Sequence, residues 1–336
     1  MAQLCCFWDS DRKNLSVVLD VILLSVGFVL IAKGGDMFVD SSIHIGRAFN
    51  VPRFVIGGTL VSLATTTPEL VVSATASGLG DSGIALGNAI GSCICNIGLI
   101  VGTVAIIMPV GADARDFTNR ALWMAGGGAL VVLFSLDRTM SRPLGLVLLA
   151  LAVAYLAWDY LGIRRIRAGL EATTSSPEER AALARAAALF GLGAVLIIIG
   201  SRLLVTSWQS VAAALGVPSA IIGFSVVAIG TSLPELVTGV SAARKGVPDL
   251  SLGNIIGANV LNLFLIVGLS GTIRPLELDL FAQWYAFPWM AVFFGSLIVL
   301  VRRNGHVRRK AGIGLLILYL LYSAGLVVLP ALGLAS

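Results

Sequence analysis

The sequence is short of charge. Only 12% of its 336 residues are Asp, Glu, Lys or Arg, whereas 57% are hydrophobic. A soluble domain of this length would carry about 25% charged residues. The composition therefore excludes an ordinary soluble protein and predicts that nearly all of the chain lies in membrane lipid. The net charge of +5 does not indicate a nucleic-acid partner, because the basic residues fall between apolar runs.

Residues that bind transition metals are also scarce. The chain has two histidines and four cysteines, and no two cysteines have the CxxC spacing. This scarcity argues against a structural zinc site, and we expect no cofactor. An intramembrane hydrolase that uses paired carboxylates is the alternative from another functional class. The scarcity of His and Cys argues against it as well.

Long apolar runs make up most of the chain. A membrane-spanning helix needs about 20 such residues, and this criterion predicts an all-α polytopic membrane protein with ten transmembrane helices. The predicted spans are 15–42, 54–77, 83–108, 121–136, 144–162, 180–208, 219–243, 250–272, 284–301 and 312–332.

The sequence contains an internal repeat. Thr65–Leu70 reads TTTPEL, and Thr231–Leu236, 166 positions later, reads TSLPEL. At the same offset, GNAIGS at 87–92 is matched by GNIIGA at 253–258. The matched residues include Gly, Pro, Glu and Asn, so shared apolarity does not explain the repeat.

The repeat divides the chain into two halves of five spans each. The boundaries are a first half at 1–163, a cytoplasmic linker at 164–179 and a second half at 180–336. An odd number of spans per copy forces the second copy to insert upside down, which is the inverted-repeat architecture of secondary transporters. We therefore expect a transporter, not an enzyme.

Lys and Arg predict the orientation. We assign six of the 23 to the termini and even-numbered loops and the other seventeen to odd-numbered loops. Cytoplasmic loops are rich in Lys and Arg, so both termini are expected outside a cytoplasmic membrane. Trp158, Asp159 and Tyr160 end the fifth span and are predicted to be interfacial anchors.

Glu69 and Glu235 are the central candidate residues. Each places a carboxylate inside an apolar span, where a charge costs roughly 2.5–3.5 kcal/mol on insertion scales. Neither span offers a basic partner at this depth, so a bound cation or protons would balance the pair. The structural alternative is a protonated Glu that hydrogen-bonds for packing.

A proline precedes each glutamate. Pro68 and Pro234 have no N–H, so nearby carbonyls lose their helical donors and become free to bind a cation. Hydroxyl residues three and four positions before each Glu share its helix face. Together these groups form an all-oxygen cage, which suits hard ions such as Ca²⁺ and Na⁺. The hydroxyl residues are Thr65, Thr66, Thr231 and Ser232.

Polar residues spaced four apart follow in the next span of each half. Such residues also serve as plain interhelical hydrogen bonds, and this alternative stays open. The glycines beside them fit close helix packing. The two stripes are Asn88, Ser92 and Asn96 in the first half, and Asn254, Ala258 and Asn262 in the second.

At these motifs the chain resembles the cation/Ca²⁺ exchanger superfamily, and within it the prokaryotic Na⁺/Ca²⁺ exchangers. The stretch GNAIGSCICNIGL at 87–99 is especially similar, and TxxPE and GNxxGxxxxN recur together in both halves. The resemblance implies exchange of exported Ca²⁺ for imported Na⁺ by alternating access, in a monomer. It implies an ion site made of Glu69, Glu235, the carbonyls of Thr65 and Thr231, Thr66, Ser232, the backbones of Ser62 and Ala228, Ser92, Asn96 and Asn262.

Two departures bear on the coupling ion. Ala258 stands where the family usually has Ser, and Asn262 stands where many Na⁺/Ca²⁺ exchangers have Asp. Ca²⁺/H⁺ exchange on the same fold is therefore the nearest alternative, with Glu69 and Glu235 as proton carriers. A passive channel is a third possibility.

Overall fold

A computed structural model describes residues 2–168, 177–214, 228–278, 280 and 282–331. Within them the chain is almost entirely helical. The α-helices, numbered here in chain order, are α1 Ala2–Ala48, α2 Arg53–Ile56, α3 Ser62–Thr65, α4 Thr67–Leu79, α5 Ser82–Cys95, α6 Gly102–Ile107, α7 Ala114–Phe134, α8 Arg142–Ala168, α9 Pro177–Ala214, α10 Ala228–Thr231, α11 Leu233–Arg244, α12 Pro248–Leu261, α13 Val267–Ile273, α14 Phe287–Asn304 and α15 Arg309–Ala331.

In the described residues, four π-helical turns connect some of these helices, and the sequence pattern did not predict them. A π-turn inserts one extra residue into a helix and is frequent at functional sites. Two of the four occupy positions that correspond in the two halves, directly after the polar stripes. The turns are Gly57–Val61, Asn96–Val101, Asn262–Ile266 and Ala282–Ala286.

Most predicted spans correspond to helices that are long and apolar enough to cross a membrane. The described residues contain seven such helices, and the bent pair Arg53–Thr65 and Thr67–Leu79 makes an eighth span if counted as one. The predicted span 15–42 lies inside α1. The predicted span 219–243 is only partly described, because 219–227 lie outside the described residues.

Helix boundaries repeat at the same offset as the sequence motifs. Helices α4 and α5 begin at Thr67 and Ser82, and α11 and α12 begin 166 positions later at Leu233 and Pro248. The π-turn at Asn96 is matched at Asn262. Equivalent residues therefore form equivalent elements in both halves.

Two short antiparallel ribbons join the halves. Strand β1 (Val110–Gly111) pairs with β4 (His306–Val307), and β2 (Thr139–Met140) pairs with β3 (Leu276–Glu277). In each ribbon one strand comes before residue 163 and the other after residue 180. The halves are thus connected by backbone hydrogen bonds as well as by helix packing.

Helices α5 and α12 form the centre of the bundle. In α12 every residue from Leu250 to Leu261 is buried. Glycines let the backbones approach here: a Cβ on Gly253 would lie 1.9 Å from the carbonyl oxygen of Phe54, and one on Gly57 would lie 2.2 Å from that of Leu250. The close contact agrees with the packing role expected for the glycines of this motif.

Helix α1 packs along α9 and contacts the rest of the bundle through a charged cluster. Lys245 directly follows α11, and its Nζ lies 2.7 Å from Asp40 Oδ1 and 2.8 Å from the carbonyl oxygen of Asp36. The Ser241 hydroxyl donates to Asp36 Oδ1 at 2.7 Å. The side chains of Asp36 and Asp40 are 60% and 62% exposed, so this cluster lies at the surface.

One prediction about the fifth span is wrong. Asp159 was expected to be an interfacial anchor, but its side chain is only 3% exposed and forms an ion pair with the equally buried Arg120. Arg120 was counted among loop charges, yet it lies within α7. The guanidinium also donates to Tyr155 Oη at 3.0 Å and to the carbonyl of Gly58 at 3.4 Å. The sequence could not pair these residues, because 39 positions and a helix connection separate them.

Candidate ion-binding site

The TxxPE motifs lie at helix breaks. Between α3 and α4, Thr66 has φ −78° and ψ 0°, and at the corresponding break Ser232 has φ −86° and ψ 6°. The first break bends the span by 44°. Pro68 and Pro234 each lie in the first turn of the new helix, where the missing N–H is tolerated. The sequence thus interrupts each span immediately before its glutamate.

Glu69 and Glu235 lie in the first turn of α4 and α11, and both are 0% exposed. The helix dipole at this position favours negative charge. Glu69 Oε1 lies 3.4 Å from the hydroxyl of Ser232, which is three residues before Glu235. The fold therefore brings the two candidate glutamates of the two halves to one buried place.

The carboxylates are poorly satisfied by protein groups. The Ser232 hydroxyl donates to Glu69 Oε1 at 3.4 Å. Glu69 Oε2 and both oxygens of Glu235 accept no hydrogen bond from the described residues. The Thr65 hydroxyl lies 3.2 Å from Asn254 Oδ1 and 3.4 Å from the carbonyl oxygen of Ser62. None of the ion pairs found in this part of the chain involves either glutamate.

More unpartnered polar atoms belong to candidate residues of α5 and the π-turns. Ser92 Oγ, Asn96 Oδ1, and both Oδ1 and Nδ2 of Asn262 are buried without a hydrogen-bond partner among the described residues. Buried polar side chains normally have at least one partner. Three of these four unpartnered atoms are oxygens, and all four belong to residues predicted from the sequence to form one ion site.

The remaining candidate residues occupy the breaks. The Thr66 hydroxyl donates to the carbonyl of Ser62, one turn earlier. The Thr231 hydroxyl donates to Asn88 Oδ1 at 2.9 Å. Ala228 is the first residue of α10, and its side chain lies outside the described residues.

Sequence reasoning missed one buried amide beside the site. Asn259 is 0% exposed, and its Oδ1 accepts from Asn96 Nδ2 at 2.9 Å. Its Nδ2 lies 3.4 Å from the carbonyl oxygen of Cys93. The corresponding position in the first half is Cys93 itself, so comparing the two copies gave no polar match that could have identified Asn259.

The candidate residues bring two carboxyl groups together with neutral hydroxyl, amide and carbonyl oxygens. The described residues contain no cluster of three or more His, Cys, Asp or Glu. Oxygen groups of this kind are the ligands that hard cations such as Ca²⁺ accept.

Comparison with known proteins agrees with the fold and the membrane class. A family model described as "Sodium/calcium exchanger protein" matches residues 19–161 and again 185–328. The second match begins 166 positions after the first, which is the offset of the internal repeat. One model therefore recognises both halves.

Full-length relatives are similar across nearly the whole chain. The sodium/calcium exchanger MaX1 of Methanosarcina acetivorans is 32% identical over 93% of this chain and 99% of its own. The inner membrane protein YrbG of Escherichia coli is 33% identical over 88% and 93%. A solved structure of the sodium-calcium exchanger NCX_Mj, soaked with Na⁺ and Sr²⁺, superimposes with a TM-score of 0.81 at 32% identity, covering 92% and 98%.

The apolar helices and the similarity to sodium/calcium exchangers over both halves place the chain in the class of ion-transporting membrane antiporters. The family match covers both halves, and the relatives align along almost their full length. The chain belongs to the sodium/calcium exchanger family.

Proposed function

We propose that this protein exports Ca²⁺ across the cytoplasmic membrane in exchange for imported Na⁺. The observation that carries the proposal is the pair of fully buried glutamates whose carboxylate oxygens are mostly unpartnered. A divalent cation balances both charges and supplies the missing partners. MaX1 and NCX_Mj, which are named as sodium/calcium exchangers, support the choice of ions.

We assign the ligands by what each atom can offer. Glu69 and Glu235 supply the charge that Ca²⁺ needs, and Na⁺ competes for the same carboxylates. The neutral oxygens come from the helix breaks and from the stripes of the next spans. They are the carbonyls of Thr65 and Thr231, the hydroxyls of Thr66 and Ser232, the backbones of Ser62 and Ala228, and the side chains of Ser92, Asn96 and Asn262.

Alternating access follows from the architecture that we propose. The chain would form two inverted five-helix halves, 1–163 and 180–336, joined by the linker 164–179, in a monomer with both termini outside. Helices α1 and α9 pack on each other and would slide together past the remaining bundle. Only an occupied site would cross, because an empty pair of negative charges is costly to enclose.

Vesicle transport tests the proposal. Purified protein in liposomes should take up Ca²⁺ when a Na⁺ gradient is imposed at clamped pH, and uptake should saturate with Ca²⁺. If three Na⁺ enter per Ca²⁺, each cycle moves one net charge, worth roughly 2.3 kcal/mol per 100 mV. Uptake that needs only a pH gradient would overturn Na⁺ coupling, and non-saturable flux without a counter-ion would indicate a channel.

Ca²⁺/H⁺ exchange is the second candidate, and Asn262 is the observation that favours it. An amide resembles a protonated Asp in shape but carries no charge. With Asn262 the site keeps two formal negative charges, which one Ca²⁺ or two protons balance. Three Na⁺ would leave a net charge of plus one.

A further inference from the structure

Two of the hydrogen bonds that cross between the halves at the helix breaks are equivalent to each other. Thr65 Oγ1 donates to Asn254 Oδ1 at 3.2 Å, and Thr231 Oγ1 donates to Asn88 Oδ1 at 2.9 Å. All four residues are buried. The bonds are equivalent under the repeat, because both the threonines and the asparagines differ by 166 positions. The same cross-connection is therefore made twice.

The other end of the first asparagine is fixed inside its own half. Asn88 Nδ2 donates to Ser73 Oγ at 2.9 Å and to the carbonyl of Glu69 at 3.3 Å, both in α4. One amide group thus connects the backbone of Glu69 in the first half with the break at Thr231 in the second.

Asn254 is held in a similar way in the second half. Its Nδ2 donates to Thr238 Oγ1 at 3.2 Å, and that hydroxyl donates to the carbonyls of Pro234 and Glu235 at 2.9 and 3.1 Å. This amide reaches the backbone of Glu235 through one hydroxyl, while its oxygen accepts from Thr65 in the first half. We call each of these two sets of hydrogen bonds, one through Asn88 and one through Asn254, a bracket. Each bracket joins the glutamate of one half to the threonine of the other.

A bracket of this kind limits how far the ligands can move apart. Each threonine hydroxyl donates to an amide oxygen of the other half, which holds it toward the neighbouring helix. The Thr65 hydroxyl also lies 3.4 Å from the carbonyl oxygen of Ser62 in its own half. Ca²⁺ binds oxygen at 2.3–2.6 Å and tolerates flexible geometry, so selection by ion size requires that the protein restrict the spacing.

We infer that Asn88 and Asn254 are positioning residues that set the spacing between the carboxylate of one half and the carbonyl of the other, and so determine selectivity for Ca²⁺ over the larger Sr²⁺. This inference rests on the proposed function. The asparagines act through the threonines and are not themselves placed among the ligands.

A double-mutant cycle with a matched control tests the pairing. Thr65→Val removes the hydroxyl and keeps the carbonyl, and Thr65→Ser keeps both. We expect Thr65→Val to raise the KM for Ca²⁺ about tenfold, which corresponds to about 1.4 kcal/mol, and to bring the KM values for Ca²⁺ and Sr²⁺ together. In Thr65→Ser, which keeps the hydroxyl, the KM values for Ca²⁺ and Sr²⁺ should stay further apart than in Thr65→Val.

Coupling should be specific to the observed partners. Adding Asn254→Ala to Thr65→Val should change the KM ratio little further, because the same bracket is already broken. Adding Asn88→Ala instead should multiply the effects, because Asn88 bonds to Thr231. Multiplicative effects in both pairs, or an unchanged ratio in Thr65→Val, would overturn the inference.

Two controls separate the possible failures. Vesicles with wild-type protein must show Na⁺-driven Ca²⁺ uptake. If they show none, the proposed function is refuted together with the inference about the asparagines. Titration calorimetry of Ca²⁺ and Sr²⁺ binding gives the same selectivity ratio without transport. If an asparagine variant does not fold, the ratio in Thr65→Val against Thr65→Ser decides: equal ratios overturn the inference, and a loss only in the valine variant supports it.

Discussion

Two groups of buried ionisable residues in the described part of the chain differ in how their charge is balanced. Arg120 and Asp159 neutralise each other, and the guanidinium also lies 5.7 Å from the ring centroids of both Phe54 and Trp158. Glu69 and Glu235 carry charge of one sign and have no basic partner among the ion pairs of the described residues. The two charges of the first group balance each other, although Asp159 Oδ2 has no hydrogen-bond partner in the described residues. The two glutamates have no opposite charge among those ion pairs.

The contrast separates stability from function. A buried ion pair that loses one member leaves an uncompensated charge, which destabilises the fold. A pair of buried carboxylates destabilises the fold while it is empty and stabilises it once an ion binds. Changes in the first group should therefore appear in unfolding, and changes in the second in ion binding.

The largest effect on transport is expected from the glutamates. Glu69→Gln combined with Glu235→Gln removes both charges and the like-charge repulsion while keeping side-chain size. We expect Na⁺-driven Ca²⁺ uptake to fall to the level of empty liposomes. The Tm in ion-free detergent solution should not fall, because no favourable partner is lost.

The same variant should lose its response to Ca²⁺. Wild-type protein should be stabilised by about 2.7 kcal/mol when Ca²⁺ is present at 100 times its Kd, and the Gln variant should not respond. A Ca²⁺-dependent rise of the Tm in the Gln variant would show that the ion binds elsewhere.

The largest effect on stability is expected from the buried ion pair. Arg120→Met alone should lower the free energy of unfolding by about 3–5 kcal/mol, because Asp159 remains buried without its partner. Adding Asp159→Leu should recover much of this loss. Chemical denaturation in detergent measures both values, with Ca²⁺ binding to the folded fraction as the control. If Arg120→Met kept its stability but lost Ca²⁺ binding, the distinction between the two groups would fail.

Adding a third carboxylate to the candidate ion site, by Asn262→Asp, should increase its difference from the Arg120–Asp159 pair. Both polar atoms of Asn262 lack partners in the described residues, so Asn262→Asp adds charge without breaking a bond seen there. We expect Ca²⁺ affinity to rise about tenfold, or about 1.4 kcal/mol, and uptake to depend more steeply on Na⁺.

Asn96→Asp is the matched control for that substitution, because it places the same charge at the equivalent position of the other half. It also replaces an amide that donates to Asn259, so its gain in affinity should be smaller. Calorimetric titration of both variants measures the difference. Equal gains would mean that total charge alone decides affinity.

The smallest effect is expected at the surface cluster. Lys245→Met breaks contacts to Asp36 and Asp40, which are mostly exposed, and exposed pairs contribute about 0–1 kcal/mol. The Tm and the Ca²⁺ affinity should therefore change little. A large loss of transport with an unchanged Tm would indicate that this cluster controls the movement of α1.

The repeat made the candidate site predictable. Residues that recur at a fixed offset, such as Glu69 and Glu235, could be compared with each other within one sequence, and the proline before each one indicated the break. Family and membrane class followed from the same motifs, and the comparisons confirm both. The ligand roles, the inverted arrangement of ten spans and the orientation stay predictions.

Features without a counterpart in the other half were not predictable. Arg120, Asp159 and Asn259 have no equivalent polar residue 166 positions away, so only the fold reveals their contacts. The π-turns were also missed, since an extra residue in a helix leaves the apolar pattern of a fully buried span unchanged.

The two β-ribbons make the contacts between the halves self-complementary. Exchanging the two halves turns the pairing of β1 with β4 into the pairing of β3 with β2, so each ribbon is the counterpart of the other. Self-complementary contacts of this kind are those that a symmetric homodimer makes. Co-expression of 1–168 and 177–336 as separate chains, followed by recovery of one assembled complex, would test whether the contacts between the halves still suffice without the covalent link.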